Sequence, residues 1–185
     1  ELRLLHLCRL QAHADDPSVM RLLYGDVARR LDPRTVEQAL LEAGIPIGTD
    51  FVQWVWQWHD PEQIWAWAGT HPDLVSERLR DTSDAVDALR ALELFPVVPA
   101  QLLPAVADAA VGSAVTNRRL AQRILRAHPG ARELAERSLT GTAATREAAA
   151  QWLADLADPA AIPALRKAAA KERTSAARAA ILHAL

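Results

Sequence analysis

Residues 143–185 spell out a helical hairpin that starts over: AATREAAAQWLADLADPAAIPALRKAAAKERTSAARAAILHAL. Ala149, Trp152, Leu153 and Leu156 fall at i, i+3, i+4 and i+7, one apolar stripe on a 3.6-residue period. After a two-residue turn, Asp158 caps a second helix. Pro159 takes its first position, where the missing N–H costs nothing, and Ile162, Leu165 and Ala169 form its stripe. A third helix brings Ile181, Leu182 and Leu185. Arg146, Leu153 and Leu156 return 29 residues later as Ser175, Leu182 and Leu185. One hairpin of this kind cannot bury its apolar face alone. It must stack on neighbours, which restricts the chain to an all-α solenoid of stacked antiparallel hairpins.

Upstream residues obey the same grammar. Residues 1–13 read as a helix with Leu4, Leu5, Leu7 and Leu10 apolar. Asp16-Pro17 starts a second, with Met20, Leu23, Tyr24, Val27 and Leu31 as its stripe. Asp32-Pro33 starts a third, with Val36, Ala39, Leu40 and Ala43, and Gly44 supplies the left-handed residue that ends it. The Asp-Pro device returns at Asp60-Pro61 and Asp158-Pro159. Its physics is a carboxylate over free amides followed by a ring whose φ is already helical. From Thr70 the rhythm settles. Helices are predicted over His71 to Arg80, from a Ser83 cap through Leu92, from Pro99 to Gly112, over Asn117 to Ala127 and over Ala131 to Leu139. The short connections suit antiparallel neighbours. Residues 1–185 therefore read as one helical repeat domain, with irregular N-terminal helices over 1–70 and about five hairpins of a right-handed solenoid over 71–185.

Five of the six tryptophans, Trp54, Trp56, Trp58, Trp65 and Trp67, lie within residues 51–67. Alternation of the first three would suit a strand, but an isolated strand has nothing to pair with, so helix is the expectation. Phe51, Trp54, Val55 and Trp58 then share a face and Trp56 points elsewhere. An aromatic platform for a base, sugar or quaternary amine competes with a bulky core. No Lys or Arg lies between Asp50 and Asp73, and a stacking groove for nucleic acid wants cations among its aromatics, so core burial is expected.

Half the residues are hydrophobic, mostly Ala and Leu, and 24% are charged, the balance of a folded helical protein. No run of apolar residues is long enough to span a membrane. The opening ELRLLHLCRL carries neither a basic leader nor a small-residue cleavage site. With the lone Cys8 excluding an internal disulfide, a reducing cytoplasm is expected. The absent initiator Met fits a piece of a longer protein. Net charge is −2 overall, but residues 1–100 hold 9 Arg and 16 acidic residues while residues 101–185 hold 12 basic and 7 acidic ones. The halves are oppositely charged.

Motifs for catalysis are missing. None of the six histidines, His6, His13, His59, His71, His128 and His183, opens an HExxH pattern. Asp60 beside His59 is explained as a helix cap, and His71 and His128 each precede proline at turns. Cys8 reads as a small apolar filler. The glycines form no phosphate loop, and no serine sits in a G-x-S-x-G elbow. No catalytic residue, cofactor or metal is expected.

Several stretches carry a family likeness: FPVVPAQLLPAVADAA (residues 95–110), NRRLAQRILRAHPGA (117–131) and the 29-residue hairpin itself. The matching elements are Phe95-Pro96, Leu102-Leu103-Pro104, Ala121-Gln122, and Arg146 with Ala149, Ala150, Trp152, Leu153, Lys171 and Glu172. Together they resemble the HEAT-like helical repeat region of large bacterial MolR-like proteins, which contain a C-terminal domain of unknown function. The likeness covers about half the chain, and residues 1–70 match more loosely. It implies a fragment of a much longer bacterial protein and, through the family name, a regulator linked to molybdate, although no motif in these repeats would bind that anion.

HEAT-like repeats usually present their second helices on the concave surface. On this chain those helices bring Arg137, Arg166, Lys167 and Lys171, and Arg119, Arg123 and Arg126 line one face of a neighbouring helix at i, i+4 and i+7. A basic trough for a protein partner, or for other domains of the parent chain, is the expectation; a phosphate backbone is the alternative. HEAT-like DNA glycosylases pair tryptophans with an acidic residue around a damaged base. The tryptophan cluster here lies in the acidic half, so electrostatics argue against that analogy. HEAT-like iron hydroxylases need His-Glu pairs, which are absent. The predicted function is a non-catalytic scaffold or interaction module, with end-to-end self-association through the C-terminal helix.

Overall fold

The computed structural model describes residues 2–14, 25, 28–81 and 85–185. Among these, every regular element is helical and none is a strand. The α-helices are α1 (Leu2–Ala14), α2 (Pro33–Glu42), α3 (Thr49–Trp58), α4 (Pro61–Thr70), α5 (Pro72–Arg80), α6 (Ala85–Glu93), α7 (Leu103–Ala110), α8 (Val115–Leu125), α9 (Ala131–Ser138), α10 (Ala143–Leu156), α11 (Ile162–Lys171) and α12 (Ser175–His183). Backbone packing divides the chain into two compact units, Glu1–Leu74 and Val75–Leu185. The predicted helix opened by Asp16-Pro17 and the predicted cap at Ser83 lie outside the described residues.

In the first unit α2 packs against α1 and α4. Leu4 and Cys8, one turn apart on α1, turn inward, whereas Leu10 faces solvent. Burial pushes the Cys8 thiol up to about 11, so it stays protonated at neutral pH and fills space, as expected of it. The Asp32-Pro33 start works as predicted: the Asp32 carboxylate accepts from the Arg34 N–H at 2.9 Å with Pro33 in the first turn. At the other end Gly44 takes φ +78°, and the Ile45 and Gly44 amides return to Leu40 and Leu41 at 2.9 and 3.0 Å. This two-bond closure needs a left-handed residue, which glycine supplies without strain.

The tryptophan segment is two helices, broken at His59-Asp60. The Gln63 side chain accepts from the Asp60 N–H at 3.0 Å, which secures the start of α4. Phe51, Trp54 and Trp67 are buried as a core. Trp56, expected to point away, is buried too and meets Trp67 edge-on at 6.1 Å. The i, i+3, i+4 stripe misjudges it because the buried face of α3 is wider than one stripe, and among the described residues of the helix only Gln53 and Gln57, one turn apart, are left exposed. Trp65, by contrast, is 42% exposed.

The second unit is a solenoid of stacked helices. First helices of successive hairpins lie along one another: α6 packs on α8, and α10 on α12, its counterpart 29 residues later. Second helices close the gaps, α7 against α8, α9 against α10 and α11 against α12. Gln122 on α8 donates to the Ala110 carbonyl at 2.8 Å and Arg118 to the Gly112 carbonyl at 3.0 Å, so the open end of α7 is tied down by side chains of the next helix. Helices α6 to α11 make three complete hairpins and α12 begins a fourth, where the sequence suggested about five.

On one face of the last hairpins burial repeats at 29 residues. Ala148 and Trp152 are buried, and so are Ala177 and Ile181, their counterparts. Ile181, on the helix expected to associate end to end, is fully enclosed. Leu182 and Leu185 are 56% and 46% exposed.

Candidate partner-binding groove

Between the second helices α9 and α11 runs a groove of about 910 Å³. Helix α9 contributes Glu133, Glu136 and Arg137, and α11 contributes Ala164, Lys167, Ala168 and Lys171. Leu139, Thr140, Arg146 and the turn Glu172 to Thr174 together close the end at which α9 and α11 finish. Leu139, Ala164 and Ala168 give it an apolar floor.

One ion pair shapes the closed end. Arg146, in the first half of α10, donates through Nε to Glu172 Oε2 at 2.5 Å and through Nη2 to Glu172 Oε1 at 3.0 Å. Its Nη1 donates to the Gly141 carbonyl at 2.6 Å, so one guanidinium joins the turn before α10 to the turn before α12. Glu172 also accepts from the backbone N–H groups of Arg173 and Thr174, at 2.9 and 2.8 Å. With Arg146 and two amides donating to it, the Glu172 carboxyl is held down to about 2, the Arg146 hydrogen bonds being the largest cause and the Thr174 amide the next. Its side chain is 2% exposed. Because the central residue of Lys171-Glu172-Arg173 turns inward, its two neighbours project into solvent at the groove.

Acidic residues on the α9 side are already engaged. Arg132 reaches Glu133 at 2.5 Å, Glu136 at 2.7 Å and Asp158 at 3.1 Å. By contrast Arg137, Lys167, Lys171 and Arg173 are exposed, and none of their side chains has an ion-pair partner among the described residues. Four cations therefore surround an apolar floor. A smaller hollow of about 490 Å³ by α5 and α7 carries only Arg80 and Asp108 as charged lining.

Of the basic residues picked out from the sequence, Arg137, Lys167 and Lys171 come together here. Arg166, next to Lys167, is exposed on α11 but does not line the groove. Arg119, Arg123 and Arg126 lie on and just after α8, away from it, and Arg123 donates to Glu93 at 2.9 Å. Sequence reasoning missed Arg173 and the Arg146–Glu172 pair. A local signal existed for the latter, an acidic residue two positions before the Thr174 cap, but its arginine partner is distant in sequence.

The histidines are dispersed. His59 is buried at 7% exposure, its ring nitrogens 3.2 Å from the Val55 and Leu31 carbonyls and not engaged with Asp60. His71 stacks on Trp67 at 4.7 Å and meets Glu37 at 2.8 Å, and His128 accepts from the Gly130 N–H at 3.0 Å. Among the described residues no three His, Cys, Asp or Glu side chains gather as a metal site. No helix among them is long and apolar enough to cross a membrane.

Residues 145–171, the α10–α11 hairpin with its turn, match the PBS lyase HEAT-like repeat family. Neither a curated protein nor a solved structure matches the chain.

Proposed function

We propose that this chain is a non-catalytic interaction module whose docking face is the groove between α9 and α11, and that it serves a protein partner or other domains of a longer parent chain. The carrying observation is the set of four cations without carboxylate partners around an apolar floor, in a unit where Arg123, Arg132 and Arg146 are all paired. The HEAT-like repeat match over the hairpin that forms one wall supports the same assignment, since such repeats build extended binding surfaces. A bacterial, cytoplasmic parent of the MolR-like kind, implied by the resemblance of residues 95–110, 117–131 and 145–172, belongs to this proposal, as does end-to-end self-association through Leu182 and Leu185.

A nucleic-acid partner has the four cations in its favour. Against it, Glu133, Glu136 and Asp158 share the single guanidinium of Arg132 and keep the α9 edge acidic, and no aromatic side chain lines the groove for base stacking.

The test is affinity capture with the wild-type chain, Lys167→Glu/Lys171→Glu and Arg166→Glu. The proposal expects a protein held by the wild type and by Arg166→Glu to be lost from the double variant. Capture that survives the double variant with unchanged yield removes the groove from the function. A gel shift at low and moderate salt that is abolished by the double variant, with a steep salt slope, would put the nucleic-acid assignment in its place.

A further inference from the structure

Resting on the groove as docking face, we infer that its occupant is an acidic segment of a partner protein in which carboxylates flank an apolar side chain, and that Glu172 is the positioning residue for its recognition. Complementarity argues for the first part. Arg137 on one wall faces Lys167 and Lys171 on the other, with Leu139, Ala164 and Ala168 beneath them. A fully charged chain would satisfy the rims and leave the floor wet; a purely apolar one would leave four cations without anions. A peptide that alternates acidic and apolar residues meets both requirements, and its spacing tolerates the acidic edge at Glu133 and Glu136 that repels a continuous phosphate backbone.

Geometry argues for the second part. Lys171 and Arg173 flank a residue whose side chain is 2% exposed and receives Arg146 from α10 and two amides of its own turn. A turn so tied cannot swing its neighbours away from the groove, so two of the four cations stand in place before a ligand arrives. Preorganisation of this kind lowers the ordering cost of binding. Glu172 itself touches no ligand. It acts through Lys171 and Arg173.

This leads to a test in which electrostatics and positioning predict opposite signs. Glu172→Gln raises the charge of the groove by one, which on charge alone tightens an acidic ligand. Positioning predicts weaker binding. The probe is a fluorescein-labelled synthetic peptide of alternating Glu and Leu, read by fluorescence anisotropy on the intact chain. Lys167→Glu/Lys171→Glu should weaken it by about tenfold, as expected for reversing two exposed charges, and Arg166→Glu should not. Glu172→Gln should weaken it too, and the slope of log affinity against log salt should fall to that of Lys171→Ala/Arg173→Ala, because the cations are present but no longer aimed. Far-UV circular dichroism confirms retained helicity, and the alanine pair, which leaves the Arg146–Glu172 bonds intact, keeps the test open if Glu172→Gln unfolds.

Unchanged or tighter binding by folded Glu172→Gln overturns the positioning role. An all-Glu peptide that binds as well as the alternating one overturns the apolar requirement. If the peptides fail while a captured protein still depends on Lys167 and Lys171, this inference falls and the proposed function stands; if neither depends on the groove, both fall. A single-stranded oligonucleotide that binds where the peptide does not makes nucleic acid the occupant.

Discussion

Arg146 and Glu172 hold two inter-helix turns together: one guanidinium bonds the carboxylate at 2.5 and 3.0 Å and the Gly141 carbonyl at 2.6 Å. Every acceptor sits on a turn, where backbone groups would otherwise look to water. Stacked hairpins bury their stripes but leave their turns loose. Here a side chain from the helix between them ties both.

That pair carries a pH signature. The Glu172 carboxyl is lowered from an ordinary 4.5 to about 2, so the folded state holds the ionised form more tightly than the unfolded chain does. Its stabilisation is complete above about 4.5 and is lost as the pH falls through about 2. The melting temperature of the wild-type chain should therefore drop more steeply between those values than that of Glu172→Gln, which has no such proton to take up. Parallel melting curves across that window would show that the pair contributes nothing to acid stability.

Legibility in the sequence divides along the same line. Period and punctuation are local, so the helices could be placed from them. Asp32-Pro33, Gly44 and Asp158 act within a turn of where they stand, and the Trp152 stripe announces a buried face. The apolar pattern also separated the buried Trp67 from a ligand platform through the missing basic residues. What escaped depends on partners distant in sequence. Arg146 reads as a generic helix cation until Glu172 is brought to it. Arg119 and Arg126 look identical to Lys167 on a helical wheel, and only packing decides which of them lines a groove. Ile181 and Leu182 are adjacent apolar residues, yet one is enclosed and the other open, because α10 covers a single face of α12.

Trp152 gives a direct measure of the stacking. It is buried on α10, the helix that packs along α12, and its counterpart there is the equally enclosed Ile181. Removing the indole leaves a cavity that neighbouring alanines cannot fill. Trp152→Ala should cost about 3 to 5 kcal/mol in urea unfolding, and Ile181→Ala about 2 to 5 kcal/mol. A cost under about 1 kcal/mol for the tryptophan would mean the two hairpins do not share a core.

Ala157 offers a change in the other direction. It ends α10 in the left-handed region, at φ 52°, the only non-glycine among the described residues to do so. An L-residue there costs about 1 to 2 kcal/mol, while glycine loses about 0.4 to 1 kcal/mol through the greater freedom of its unfolded chain. The difference favours Ala157→Gly by about 0.5 to 1 kcal/mol, a small rise in melting temperature. A fall would show that the alanine methyl makes contacts worth more than the strain.

The surface of α12 supplies the last test. Leu182, on α12, and Leu185, two residues past its end, are both exposed, although Leu153, which holds the position of Leu182 one hairpin earlier, is buried. Inside the stack this position is covered by helix packing. An open copy of it presents two leucines to whatever apolar surface comes near, a second copy included. Light scattering over a concentration series should show self-association that Leu182→Glu/Leu185→Glu removes without loss of helicity, since neither side chain supports the core. Ile181→Glu must behave differently. It would put an unpaired carboxylate at a fully enclosed position and should melt α12 instead of dissociating a complex. Mass that stays monomeric at every concentration would count against association through this face, and equal scattering from wild type and the double variant would move the contact elsewhere on the chain.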